Sequence, residues 1–117
     1  MVIAALTLAD GTALAQGRVP GRTIAGEWQH VETRWNDGRP AQAGNDRWII
    51  RYENQRYQFH WVGQSLTWRI LLSDHNFFQW WIDIGNGGST ATCQLVDGGQ
   101  ALSCAGREFT YRYRRLR

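Results

Sequence analysis

The chain has 117 residues, 43% of them hydrophobic, with a formal charge of +3 and a pI near 9.3. That length makes one domain, small enough to bury only roughly two thirds of its unfolded surface, so aromatic bulk or a covalent tie must supplement an ordinary core. All thirteen cationic residues are arginine, a side chain suited to stacking on rings and pairing with carboxylates. A charge of +3 does not argue for nucleic acid, and no apolar segment is long enough for a membrane span.

The first fifteen residues read as a partial export signal. Val2 to Ala9 is a short apolar run, and Ala13-Leu14-Ala15 before Gln16 fits an A-x-A cleavage site. No basic residue precedes the run, and Asp10-Gly11 interrupts it, so a start upstream of Met1 would be needed to complete the pattern. An ordered first strand or a tail is the competing reading. Residues 16–23, around Pro20, read as an extended linker, and residues 24–117 as a single β domain.

From there the chain alternates apolar and polar residues between turn signals. The pattern predicts strands at Ile24–Trp35, Arg47–Glu53, Arg56–Val62, Ser65–Leu72, Phe77–Ile84, Ser89–Val96, Gln100–Ala105 and Glu108–Arg115. Between them stand Asn36-Asp37-Gly38-Arg39, a loop over Pro40–Gly44, Asn54-Gln55, Gly63-Gln64, Asp74-His75-Asn76, Asn86-Gly87-Gly88 and Asp97-Gly98-Gly99. No segment holds a helical period.

Five of the seven tryptophans fall between Asn45 and Gly85. A turn at Asn54-Gln55 sets Tyr52 opposite Tyr57, Ile50 opposite Phe59 and Trp48 opposite Trp61. A turn at Gly63-Gln64 sets Trp61, Phe59 and Tyr57 opposite Leu66, Trp68 and Ile70. A three-residue loop at Asp74-His75-Asn76 sets Leu72, Ile70 and Trp68 opposite Phe78, Trp80 and Ile82. One face of four strands is then continuously apolar, and a one-residue slip would scramble it. The other face carries Arg51, Gln58, His60, Thr67, Arg69, Gln79 and Asp83. Ile49, Leu71, Phe77 and Trp81 lie among them, either as a partner surface or covered by another part of the chain.

Cys93 and Cys104 fall directly opposite each other if Gly98-Gly99 centres the hairpin turn, which predicts one disulfide and an oxidising compartment, periplasmic or extracellular. Two cysteines this far apart, without histidine partners, make no zinc site, and the sequence calls for no metal or other cofactor.

Eight short strands in up-and-down order predict an all-β, antiparallel eight-stranded barrel, with a partly open barrel or a sandwich as the alternative. Gly26-Glu27-Trp28 opens the first strand, and Arg114 and Arg115 stand near the end of the last. With those residues the chain resembles the lipocalin (calycin) superfamily, in which a Gly-x-Trp signature begins the first barrel strand and a late arginine packs over the tryptophan. The resemblance implies that Trp28 with Arg114 or Arg115 closes the barrel floor. The chain is short for that family and lacks its central motif and C-terminal helix.

Three functions follow as expectations. In the first, Tyr52, Tyr57, Phe59, Trp61, Trp68 and Trp80 bind a small apolar or aromatic ligand in or at the mouth of the barrel; the same rings could instead fill the interior. In the second, a packed barrel docks on a protein, a glycan or an anionic envelope polymer through loops and a basic surface, with Arg112, Arg114, Arg115 and Arg117 interleaved with Tyr111 and Tyr113. The third, an enzyme, lacks support. His30 has Glu27 and Glu32 nearby, but not at the spacing of a metalloprotease helix, and a strand would put Glu27 and Glu32 on opposite faces; His60 faces outward; His75 sits in a turn. Neither Ser65 nor Ser73 stands in a nucleophile elbow.

Overall fold

Alternation becomes strand along most of residues 26–115. The computed structural model describes residues 22–117; the expected export segment at 1–15 and most of the linker at 16–23 lie outside them. The strands are β1 (Gly26–Trp35), β2 (Pro40–Ala41), β3 (Arg47–Glu53), β4 (Arg56–Val62), β5 (Trp68–Asp74), β6 (Phe77–Asp83), β7 (Gly88–Val96), β8 (Ala101–Gly106) and β9 (Phe109–Arg115). All but the two-residue β2 follow one antiparallel path, β4-β3-β1-β9-β8-β7-β6-β5. The first and last strands pair from Trp28↔Arg115 to Trp35↔Phe109, so the sheet curls into a nearly closed eight-stranded barrel.

Much of the expected register is present. Asn54 and Gln55 both take positive φ, at 55° and 63°, the hairpin geometry whose twist matches the flanking strands. Tyr52↔Tyr57, Ile50↔Phe59 and Trp48↔Trp61 face each other, as do Trp68↔Ile82 and Ile70↔Trp80. Cys93 opposes Cys104, and the two form the disulfide, with both cysteines fully buried.

Three expectations fail. The loop after Asn36-Asp37-Gly38-Arg39 contributes β2, which pairs with the end of β1. Leu72 does not meet Phe78. The turn after Asp74 is tighter than three residues and a bulge lies between Ile70 and Leu72, so Leu72 pairs with Gln79 and Ser73 with Phe78; Leu72 is left 48% exposed.

The largest departure concerns β4 and β5, which do not pair. The Thr67 carbonyl accepts from the Asp83 N–H instead, so the chain entering β5 is bound to β6. Between β4 and β5 runs a seam closed by side chains. Trp68 sets its ring edge-on to Trp48 and Trp61 at 5.5 and 5.9 Å, and Phe59 lies 5.0 Å from Phe78. The Tyr57 hydroxyl meets His75 Nδ1 at 2.7 Å.

The antiparallel path brings the start of β1 and the turns at 54–55, 75–76 and 97–100 to one end. That end is sealed. Ile24 is fully buried, and its N–H donates to the His75 carbonyl. Trp28 Nε1 donates to the Ile24 carbonyl at 2.9 Å. The Arg115 guanidinium lies 4.2 Å from the centre of the Trp28 ring and donates to the carbonyls of Gly99, Ala25 and Thr23 at 2.7, 2.8 and 2.7 Å. Gly99 has φ +93°, and a Cβ there would lie 2.3 Å from Arg22 Cβ, so only glycine fits this turn.

Above the seal Trp48 is the centre of the core. It stacks on Trp61 at 4.4 Å and meets Phe78 edge-on at 5.1 Å. These are the offset and T-shaped contacts that aromatic quadrupoles favour.

Candidate functional site

The opposite end of the barrel is built differently. A bulge at Val31 breaks the alternation of β1, where the pairing with β9 slips between His30 and Glu32. An extra residue reverses which side chains point inward, so Trp28, His30 and Thr33 are all buried. Asp46, just ahead of β3, has the same parity as Trp48 and Ile50 and turns its carboxylate inward.

Asp46 organises this end. His30 Nδ1 contacts Asp46 Oδ1 at 2.7 Å, Trp61 Nε1 donates to Oδ2 at 2.6 Å, and the Tyr113 hydroxyl donates to Oδ2 at 2.5 Å. Gly44 passes close by: a Cβ there would lie 2.7 Å from Asp46 Oδ1 and 3.2 Å from His30 Nδ1. Burial alone would raise the Asp46 carboxyl, but the hydrogen bonds from His30, Tyr113 and Trp61 outweigh it and hold the group below the usual carboxylate range. Burial, with Asp46 beside it, pushes the Tyr113 phenol far above its usual value.

Thr33 Oγ1, His30 and Asp46 stand in the order of a nucleophile, a base and an orienting acid, with His30 Nε2 2.7 Å from Thr33 Oγ1. That nitrogen also meets the Glu32 carbonyl at 3.0 Å, and Thr33 is only 6% exposed. The arrangement ties down the bulge beside a shallow groove lined by Trp35, Ala41 and Gln42. Among the described residues no group of three or more His, Cys, Asp or Glu could hold a metal ion.

Beside Asp46 lies a cavity of about 280 Å³, walled by Trp61, Trp80, Ile82, Phe109 and Tyr111, with exposed Arg107 and Glu108 at its rim. The ring centroids run in a chain: Trp61 to Trp80 at 5.0 Å, Trp80 to Tyr111 at 6.0 Å, Tyr111 to Phe109 at 6.2 Å. Trp48 Nε1 and Trp80 Nε1 are buried without a hydrogen-bond partner and have no accessible surface, so neither donor reaches the cavity.

The six rings expected to bind a ligand are therefore divided. Trp61 and Trp80 line the cavity. Phe59 and Trp68 pack along the seam, and Tyr52 and Tyr57 gather round His75 near the sealed end. Of the two arginines considered for closure, Arg115 covers Trp28, while Arg114 points outward and is exposed. On β9 the alternation turns Tyr113 into the core and leaves Tyr111 partly buried at the cavity wall. Arg112 pairs with Asp97 and Arg117 with Glu27. His60 is exposed on the outer face, and Arg69 covers the Trp81 ring at 4.5 Å.

Sequence reasoning missed Asp46, Ile82, Phe109 and Tyr111 as cavity residues, and weighed only Glu27 and Glu32 as acids for His30, which meets Asp46 instead. A signal existed for Asp46, since the inward parity of Trp48 and Ile50 extends back to it. Nothing comparable marks His30, whose environment depends on the bulge. No family model, curated protein or solved structure matches this chain.

Proposed function

We propose that this protein is a noncatalytic binding module of the lipocalin-like kind, exported to the periplasm or the cell exterior, that holds a small apolar or aromatic molecule at the open end of its barrel. The observation that carries this reading is the asymmetry of the interior. One end is plugged by Ile24, Trp28 and Arg115, while the other keeps an aromatic-walled space of about 280 Å³, close to the lower limit of roughly 300 Å³ typical of ligand pockets. The arginine stacked over the first-strand tryptophan supports the lipocalin likeness. The buried disulfide supports an oxidising compartment.

The alternative, docking on a protein, glycan or anionic polymer through the basic end of the chain, has less behind it, because Arg112 and Arg117 are already engaged by carboxylates. Titration with a small neutral aromatic such as 3-ethylindole, followed by calorimetry and by the shifts of the Trp61 and Trp80 indole N–H resonances, tests the proposal. Saturable heat with shifts at those two residues is expected. Silence with small molecules, together with salt-sensitive binding to heparin, would favour docking.

A further inference from the structure

We infer that the open-end cavity selects a small organic cation, an ammonium group carried on an aromatic or apolar body, over neutral and anionic molecules of the same shape. This rests on the binding reading above and adds the charge of the ligand to it.

Two independent features point the same way. The first is the wall. Trp61, Trp80, Tyr111 and Phe109 form a continuous run of rings tilted by 32° to 50° from one to the next. Ring faces carry the negative lobe of the aromatic quadrupole and attract a cation within about 6 Å. The second is the placement of charge. The Asp46 carboxylate lies at the cavity with its side chain only 14% exposed, and two of its three partners, Trp61 and Tyr113, are neutral donors that orient the charge without cancelling it. Glu108 adds a second carboxylate at the rim.

The opposing charges act less strongly. Arg107 and Glu108 are both exposed at the rim, where water and salt screen them and their opposite charges offset each other, so the shielded Asp46 carboxylate dominates. His30 has both ring nitrogens engaged, with Asp46 on one side and Thr33 and the Glu32 carbonyl on the other. Tyr111 reads the resulting field: after burial, Asp46 and Glu108 are what push its phenol upward. An anion placed between Tyr111 and Trp80 would meet that same repulsion.

The test is a matched trio at pH 8 on the oxidised protein: tryptamine, 3-ethylindole and indole-3-propionate, measured by calorimetry. The expected result is tryptamine binding at least about tenfold more tightly than 3-ethylindole, the scale of one desolvated cation–π contact, with indole-3-propionate weakest. Asp46→Asn removes the acceptor of buried hydrogen bonds and endangers the fold, so the informative variants are on the exposed rim. Glu108→Gln should reduce the ratio of tryptamine to 3-ethylindole affinity, and Arg107→Gln should increase it. Equal or tighter binding of 3-ethylindole or indole-3-propionate overturns the inference and leaves the binding reading intact. Failure of all three to bind overturns both.

Discussion

The two ends of this barrel use the same kinds of residue for opposite purposes. At the sealed end a tryptophan, an arginine and backbone carbonyls close on one another: Trp28 donates to Ile24, and Arg115 donates to three carbonyls while covering the ring. At the open end the tryptophans and tyrosines converge on a carboxylate, and their remaining surface faces a cavity. A cation laid over an aromatic ring plugs one end. At the other end, among the described residues, no arginine lies over the Trp61, Trp80 or Tyr111 ring, and Arg107 stands at the exposed rim.

Four measurements break or sharpen that contrast. Trp28→Ala should be the most damaging, removing a fully buried indole together with its stack on Arg115; a loss of about 3–5 kcal/mol is expected, read from the urea midpoint. Reduction of Cys93–Cys104 frees the hairpin whose turn supplies the Gly99 carbonyl to Arg115. It should lower stability by about 2–3 kcal/mol and the melting temperature by several degrees; identical melting curves with and without reductant would count against a structural role. Arg115→Lys keeps the charge but not the fork that reaches three carbonyls. We expect a loss of about 1–2 kcal/mol, with ligand affinity at the far end unchanged.

The smallest effect is a pH dependence at the open end. The folded-state carboxyl of Asp46 is depressed, so its contribution is fully present above the unfolded value of about 3.9 and fades as pH falls through the lower folded value. Tyr113 has the opposite sign: its folded phenol is raised, so its contribution holds below about pH 10 and fades as pH rises beyond that. Chemical denaturation at steps from pH 5 down to 2.5 and from pH 9 up to 11.5 should show both losses. Asp46→Asn should flatten the acid limb, and Tyr113→Phe the alkaline one.

What could be read from the sequence was whatever period two controls. The β3–β4 hairpin, the pairing of Trp68 and Ile70 across to β6 and the disulfide all depend on counting residues outward from a turn, and each turn announces itself through Asn, Asp or Gly; the arginine over Trp28 was implied by the resemblance alone. The readings failed where an extra residue enters a strand. Val31 and Leu71 each sit at a bulge that no local composition marks, and each reverses the inward parity beyond it. The seam was hidden for another reason. Gly63-Gln64 looks like a hairpin turn, yet β5 begins only at Trp68 and pairs with β6 alone. The cavity followed suit: its Asp46 floor was visible by parity, but its Phe109 and Tyr111 wall depends on β9 closing against β1, a pairing some eighty residues apart that neither strand encodes alone.

The seam between β4 and β5 has a consequence for how the width of the barrel is set. A hydrogen-bonded ladder fixes strand spacing near 4.8 Å and permits no intermediate value, whereas indoles and phenyl rings can slide by fractions of an ångström while keeping most of their attraction. The circumference of this molecule therefore has one place that no main-chain ladder fixes, and Trp61 and Trp68 border it. Exchanging Trp68 for a smaller ring would loosen this seam without removing a main-chain hydrogen bond between β4 and β5, so the width of the barrel there rests on side-chain packing alone.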